Sequence, residues 1–325
     1  MKNRRQFLKI TGAAALGSLV LPARALAFFP PEPHAIGLQL FTLFTFIDQD
    51  VSGNLKKVAD IGYKEIESAF SMKGGFYGMK PKEFKLLVGS LGMSWTSHHV
   101  LGAPFKMPAN AKPMVDANGK PIEFPPMKNL TENMQELVDS VAEGGIPYLV
   151  CANIPTHTMD EIKASIETLN RTGEACKKVG ITLCYHNHTG EFAAVGSAEQ
   201  AAGDPTATLK PAAPGEKTAY DLFLAGLTPD IKMELDLCWA TKAGIDPVAL
   251  FKAHPGRFPL WHAKDLDKQR QGPAPVGTGV VDFKRIFASA DVAGMKHFFV
   301  EHDMPADAFA SITTSYNNLN KLLTS

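Results

Sequence analysis

The chain has 325 residues, 45% of them hydrophobic, and its 33 basic side chains balance 33 acidic ones. That balance excludes a surface built to grip nucleic acid or an anionic membrane, both of which call for a basic excess. Its four cysteines, Cys151, Cys176, Cys184 and Cys238, show no CxxC spacing, so neither a zinc knuckle nor a dithiol redox motif is present in the sequence.

The first residues read as an export signal. "NRRQFLK" (3–9) carries the pair Arg4 and Arg5, the apolar run "ITGAAALGSLVLP" follows, and "ARALA" (23–27) supplies small residues before a cleavage point. Basic, apolar and small-residue regions in that order are what a signal peptide needs, and the arginine pair places it in the twin-arginine class. The apolar run is too short to span a bilayer comfortably. Residues 1–27 are therefore expected to be removed, leaving a mature chain of 28–325 in the periplasm with no membrane segment.

Beyond the leader, strand-like and helix-like segments alternate. Strands are expected at "AIGLQLFTL" (35–43), "YKEIESAF" (63–70) and "MSWTSHHVL" (93–101), separated by the helical runs "VSGNLKKVADIG" and "KPKEFKLLVGSLG". A Pro-, Gly- and Asn-rich insertion covers 102–126. The helix "NLTENMQELVDSVAEGG", the strand "IPYLVCANIP" (146–155), the long helix "TMDEIKASIETLNRTGEACKKVG" and the strand "ITLCYHNH" (181–188) come next. Three more strands, at "PDIKMELDLCWA" (229–240), "FPLWHAKDL" (258–266) and "KHFFVEHD" (296–303), alternate with helices and a closing helix follows them. Eight such repeats in about 300 residues predict a single-domain α/β fold, the (β/α)8 TIM barrel. An open doubly wound sheet is disfavoured, because no GxGxxG turn follows the first strand.

In such barrels the chemistry sits at the carboxyl ends of the strands. His186, Asp236, His262 and Glu301 occupy the ends of four consecutive strands, a mixed imidazole and carboxylate set suited to a divalent metal. Strand alternation supports the choice: if Asp236 faces the axis, Glu234 and Cys238 do too, while Leu235 and Leu237 face the helices.

Together the blocks "GLQLFTL…LKKVADIGYKEIE", "YHNHTGEF", "ELDLCWATKAGIDP", "HAKD" and "VGTGVVDF…FFVEHD" resemble the xylose-isomerase-like barrels called sugar phosphate isomerases/epimerases, from about residue 35 to 320. The resemblance implies a divalent metal, manganese first, with magnesium, cobalt or zinc as alternatives. It implies Asp236, His262 and Glu301 as ligands. On the fifth strand either His186 stands where many members place Glu, or Glu191 folds back from the loop. Trp239 stands where epimerases commonly place a second histidine; it can stack on a sugar but cannot carry a proton.

Proximity assigns the other roles. Glu191, His188 and Lys264 are expected to be catalytic, and Glu67, His99 and Trp239 to contact substrate; His98 is a further strand-three histidine. The expected reaction is metal-dependent isomerisation or epimerisation of a non-phosphorylated keto-sugar by proton abstraction beside the carbonyl. The alternative is a lyase or hydratase on 3-keto-glycosides, with a separate sugar dehydrogenase supplying the ketone. A non-catalytic sugar-binding barrel is the third reading.

Overall fold

The computed structural model of the protein describes residues 35–44, 46–105, 125, 127–197, 212–213, 215–269 and 271–325. The expected leader at 1–27 and most of the insertion at 102–126 lie outside the described residues.

In chain order the strands are β1 (Ile36–Gln39), β2 (Glu65–Ser68), β3 (Ser94–Leu101), β4 (Tyr148–Asn153), β5 (Thr182–His186), β6 (Lys232–Asp236), β7 (Leu260–Ala263), β8 (Asp265–Leu266), β9 (Pro273–Ala274) and β10 (His297–Val300). Strands β1 to β7 and β10 pair in parallel and close into an eight-stranded barrel; β8 and β9 form a separate antiparallel pair. The helices are α1 (Val51–Ile61), α2 (Pro81–Ser90), α3 (Leu130–Gly144), α4 (Met159–Lys178), α5 (Ala219–Gly226), α6 (Leu237–Lys242), α7 (Pro247–Ala253), α8 (Phe283–Phe287), α9 (Ala290–Ala293) and α10 (Ala308–Thr324). Their starts follow local chemistry. The Asp50 side chain accepts from Gly53 N, Thr158 and Glu161 form a capping box, and Asp246 caps α7 with Pro247 in its first turn, each satisfying N–H groups that the helix itself leaves without partners.

Alternation along the strands divides the apolar residues into two sets. Leu38, Ile66, Leu149, Leu183, Leu235, Trp261 and Phe298 belong to the large core shared with the helices. A second, smaller cluster of Val150, Cys184, Leu260 and Phe299 is built from the opposite strand faces and plugs the barrel interior. Gly37 belongs to that interior: a Cβ there would lie 2.4 Å from the ring of Phe299, its partner on the adjacent strand, so glycine is what lets that ring lie over β1.

Two details depart from the expected strands. Strand β6 ends at Asp236, whose side chain accepts from Trp239 N and caps α6. Strand parity therefore stops there, and Cys238 is a helical residue of the outer core, not a member of the inward set. In β3 the register against β2 slips between Ile66 and Glu67. This bulge adds one residue to β3, so Trp95 and His98, three apart, both pack against Phe76 on the helix side while His99 turns to the axis. Helices α5 and α6 have no counterpart among the segments expected from the sequence.

Candidate active site

Above the interior plug, at the carboxyl ends of the strands, lies a buried polar assembly. Its inner part is built by Glu67 of β2, His99 of β3, His186 of β5, Glu234 of β6 and His262 of β7, of which Glu67, Glu234 and His262 have no exposed surface. Three ring nitrogens converge on a single oxygen, Glu234 Oε2: His99 Nε2 at 2.6 Å, His186 Nδ1 at 3.1 Å and His262 Nε2 at 3.3 Å. Glu67 Oε1 receives the Gln39 amide at 2.8 Å and lies 2.6 Å from His262 Nε2 and 3.2 Å from His99 Nε2.

The outer part is built around Lys264. Its ammonium lies 3.0 Å from Asp236 Oδ2, 2.5 Å from Glu301 Oε2 and 2.7 Å from Asp303 Oδ2, and 5.0 Å from the centroid of the Trp239 ring. His262 joins the two parts. Its Nδ1 is 2.8 Å from Glu301 Oε2, whereas its Nε2 faces Glu67 and Glu234.

Burial and charge set the protonation of these groups in opposing directions. Burial would push the His99 imidazole down, but the charges of Glu67 and Glu234 outweigh it and raise it to about 9. His262 is raised well above the ordinary histidine value in the same way, with Glu234, Glu301 and Glu67 overcoming burial. His186 is pushed well down by burial and by the neighbouring His262 and His188. Burial and the Glu67 charge raise the Glu234 carboxyl to about 7. In Glu67 and Glu301 burial is overcome by the cationic neighbours, and both carboxyls are held below the usual range. Lys264 keeps its proton because Asp236, Asp303 and Glu301 outweigh its burial. Opposed shifts among adjoining buried groups mark a site prepared for acid–base or metal chemistry.

The expected site residues fall as follows. His186 and His262 lie in the inner group, and Asp236 and Glu301 in the outer one, so the four expected ligands form two overlapping sets that share His262. Glu67 and His99, expected to contact substrate, are buried at the centre of the inner group. Lys264 and Trp239 sit together in the outer group. His188 stands at the mouth, its side chain 35% exposed and its ring 5.0 Å from that of His186. Glu191 is not brought to the centre: Tyr185 Oη donates to its Oε1 at 2.7 Å and the His188 backbone N–H to its Oε2 at 3.0 Å, so it ties down the loop after β5. Asn187 accepts the Asp236 backbone N–H at 3.1 Å and clips β5 to β6. His98 bonds Ser68 on the helix side. Three residues of the assembly were given no role from the sequence. Glu234 shares the parity of Asp236, and Asp303 lies two residues beyond Glu301, so both carried a readable signal; Gln39 carried none.

The residues present fit a divalent metal. Imidazole and carboxylate are the right donors, and among the described residues Glu67 Oε2 and Glu234 Oε1 are buried with no hydrogen-bond partner, a state that costs free energy unless a cation or donor compensates.

The comparisons agree with this architecture. The family model described as "Xylose isomerase-like TIM barrel" matches residues 55–316. A solved sugar phosphate isomerase/epimerase from Parabacteroides distasonis is 28% identical, with 89% of this chain and 98% of that one covered and a TM-score of 0.68. An L-ribulose 3-epimerase (14% identity, 90% and 95% covered, TM-score 0.62) and an IOLI protein solved with a zinc atom (13%, 89% and 98%, TM-score 0.63) share the fold. No curated protein matches. The chain belongs to the xylose isomerase-like TIM barrel family.

Proposed function

We propose that the protein is a metal-dependent sugar isomerase/epimerase acting by proton abstraction beside the carbonyl of a non-phosphorylated keto-sugar. The observation that carries this reading is the convergence of three imidazoles and two carboxylates on one buried point at the strand ends, next to a lysine ammonium. A bound divalent ion supplies Lewis acidity, lowering the cost of charge on a carbonyl oxygen.

The chain's own groups supply the rest. Lys264, its ammonium within 3.0 Å of Asp236, Glu301 and Asp303, holds a fixed positive charge beside the developing oxyanion. Asp303 is its most exposed partner, at 32%, and is the one a sugar hydroxyl can replace. Trp239 forms the wall over that ammonium. His188, the imidazole open to solvent, takes the proton from carbon and returns it. The substrate is assigned as non-phosphorylated because the leader directs the protein to the periplasm, whereas sugar phosphates are chiefly cytoplasmic, and because the sequence has no glycine-rich phosphate cradle.

The test is deuterium wash-in by NMR. Metal-loaded enzyme and a panel of keto-sugars in deuterated water should exchange one carbon-bound proton, and chelation should stop it. Exchange accompanied by release of an aglycone from a 3-keto-glycoside would favour the lyase reading; a productive substrate with no exchange would remove both.

A further inference from the structure

The family resemblance implies Asp236, His262 and Glu301 as metal ligands, and the structure brings one donor atom of each within 4.8 Å of the others. Toward that set the His262 ring presents Nδ1, 2.8 Å from Glu301 Oε2 and 3.8 Å from Asp236 Oδ2. An imidazole nitrogen binds a metal through its lone pair, so a neutral His262 serving there has to carry its proton on Nε2. The group that receives this proton decides whether the ring is ready for the ion.

The nearest receiver is Glu67. Its Oε1 lies 2.6 Å from His262 Nε2, closer than Glu234 Oε2 at 3.3 Å. Glu67 stands on β2 and His262 on β7, strands that are not neighbours in the barrel, so the bond crosses the barrel from wall to wall.

The accepting oxygen is itself held. Gln39, the register partner of Glu67 on β1, donates its Nε2 to Glu67 Oε1 at 2.8 Å. The Gln39 amide oxygen accepts the Phe41 backbone N–H at 3.0 Å, which fixes the end of the amide that faces Glu67. A carboxylate oxygen has two lone pairs, and the Gln39 and His262 bonds take one each. His99 has its own acceptor: its Nε2 is 3.2 Å from Glu67 Oε1 but 2.6 Å from Glu234 Oε2. Gln39 and Glu67 have no exposed surface, so water does not compete for either bond.

We propose that Glu67, clamped by Gln39, is the positioning residue that turns His262 to the metal: it takes the Nε2–H and leaves the Nδ1 lone pair for an ion shared with Asp236 and Glu301. The proposal rests on the metal-dependent reading above and assigns Glu67 to the support of the ion, not to the substrate. Metal-bound histidines usually donate their other ring N–H to such a partner, and losing the partner costs about 10- to 100-fold in affinity.

Zinc is the probe, titrated into chelator-treated mature protein in competition with a chromophoric chelator. The His262 ring is followed by nitrogen-15 NMR, its signals assigned by their loss in His262→Gln. Zinc-loaded wild type should show Nδ1 coordinated and Nε2 carrying a far-downfield, hydrogen-bonded proton. Glu67→Gln keeps the shape and an acceptor oxygen but removes the charge; it should weaken zinc by about 10- to 100-fold and move that proton upfield. Gln39→Met, which removes only the clamp, should weaken zinc by a smaller factor. Glu65→Gln alters a carboxylate of the same strand that is paired instead with His297, and should leave both readouts unchanged. A folded Glu67→Gln that binds zinc as tightly as wild type would overturn the proposal. Where that variant fails to fold, the wild-type spectrum decides: zinc on Nε2 with the proton on Nδ1 overturns the proposal, and the reverse supports it. Wild type that binds neither zinc nor manganese would sink the metal-dependent reading itself, and the positioning role with it.

Discussion

His98 and His99 are neighbours in the chain with opposite physical fates. His99 lies among carboxylates and is raised to about 9, whereas burial, aided by the His99 charge, lowers His98 to about 3. Folding therefore holds His98 neutral at pH values where the unfolded chain, with an ordinary histidine value near 6.5, binds a proton. The stability this supports is present above about pH 6.5 and is lost as pH falls toward 3, at about 1.4 kcal/mol per pH unit. Urea unfolding at pH 6.5 and pH 5 should show wild type losing about 2 kcal/mol more than His98→Gln; equal losses would mean that His98 is not held neutral. The four cysteines make a second residue-scale case. All are buried and free, and burial raises Cys176 to about 12 and the other three further. Since the thiolate is the reactive form, none should react with an aromatic disulfide reagent in native protein, and all four should react in urea. Fast labelling of any cysteine in native protein would contradict their placement.

The loop "VGTGVVDF" is held as a unit by one side chain. Asp265, at the start of β8, accepts backbone N–H bonds from Leu266 (2.8 Å), Gly277 (2.9 Å), Gly279 (2.8 Å) and Val281 (3.0 Å). Gly279 has to be glycine, because a Cβ there would lie 2.0 Å from Leu266 O. Asp265→Ala leaves those N–H groups without their charged acceptor and should destabilise the protein by about 2–4 kcal/mol, since bonds to charged groups contribute more than neutral ones. Gly279→Ala should cost a comparable amount through displacement of the β8 backbone. Both are read from denaturant midpoints; losses under 0.5 kcal/mol would contradict this account of the loop. The motif "HAKD" thus divides between roles: His262 and Lys264 face the site, and Asp265 holds the loop. Sequence reading reached His262 through its place at a strand end and Lys264 through proximity but gave Asp265 no role, because its partners are backbone groups up to 16 residues away. Parity failed at two places, for local reasons. The bulge in β3 reverses the faces of residues after Trp95, and Asp236 ends β6 by capping a helix. The eight-strand rhythm was legible because each strand carries its own apolar run between turn residues. The depth of Glu67 was not, because burial of a carboxylate at the axis depends on His99 and His262, which come from other strands.

At the scale of the whole molecule, the barrel separates stability from chemistry. The interior plug of Val150, Cys184, Leu260 and Phe299 and the outer core need no ligand, so ligand variants such as His186→Gln should keep their folded circular-dichroism spectrum. Export is the second whole-chain proposal. The paired Arg4 and Arg5 ahead of the apolar run motivate a twin-arginine leader, and Arg4→Lys with Arg5→Lys should leave precursor in the cytoplasm. Normal fractionation to the periplasm after that change would contradict it. The central claim is that the protein abstracts a carbon-bound proton with the help of a metal held in the buried imidazole and carboxylate assembly, and Lys264 is its most specific element. The most direct measurement is the rate of deuterium wash-in on a responding keto-sugar for metal-loaded wild type, chelated wild type and Lys264→Met. The account predicts exchange at one carbon in the loaded enzyme, none after chelation, and a fall of about 30- to 1000-fold in Lys264→Met, equivalent to removing one charged stabilising group of roughly 2–4 kcal/mol. Turnover of that sugar with no solvent deuterium at any carbon, or full exchange in the chelated enzyme, would contradict it.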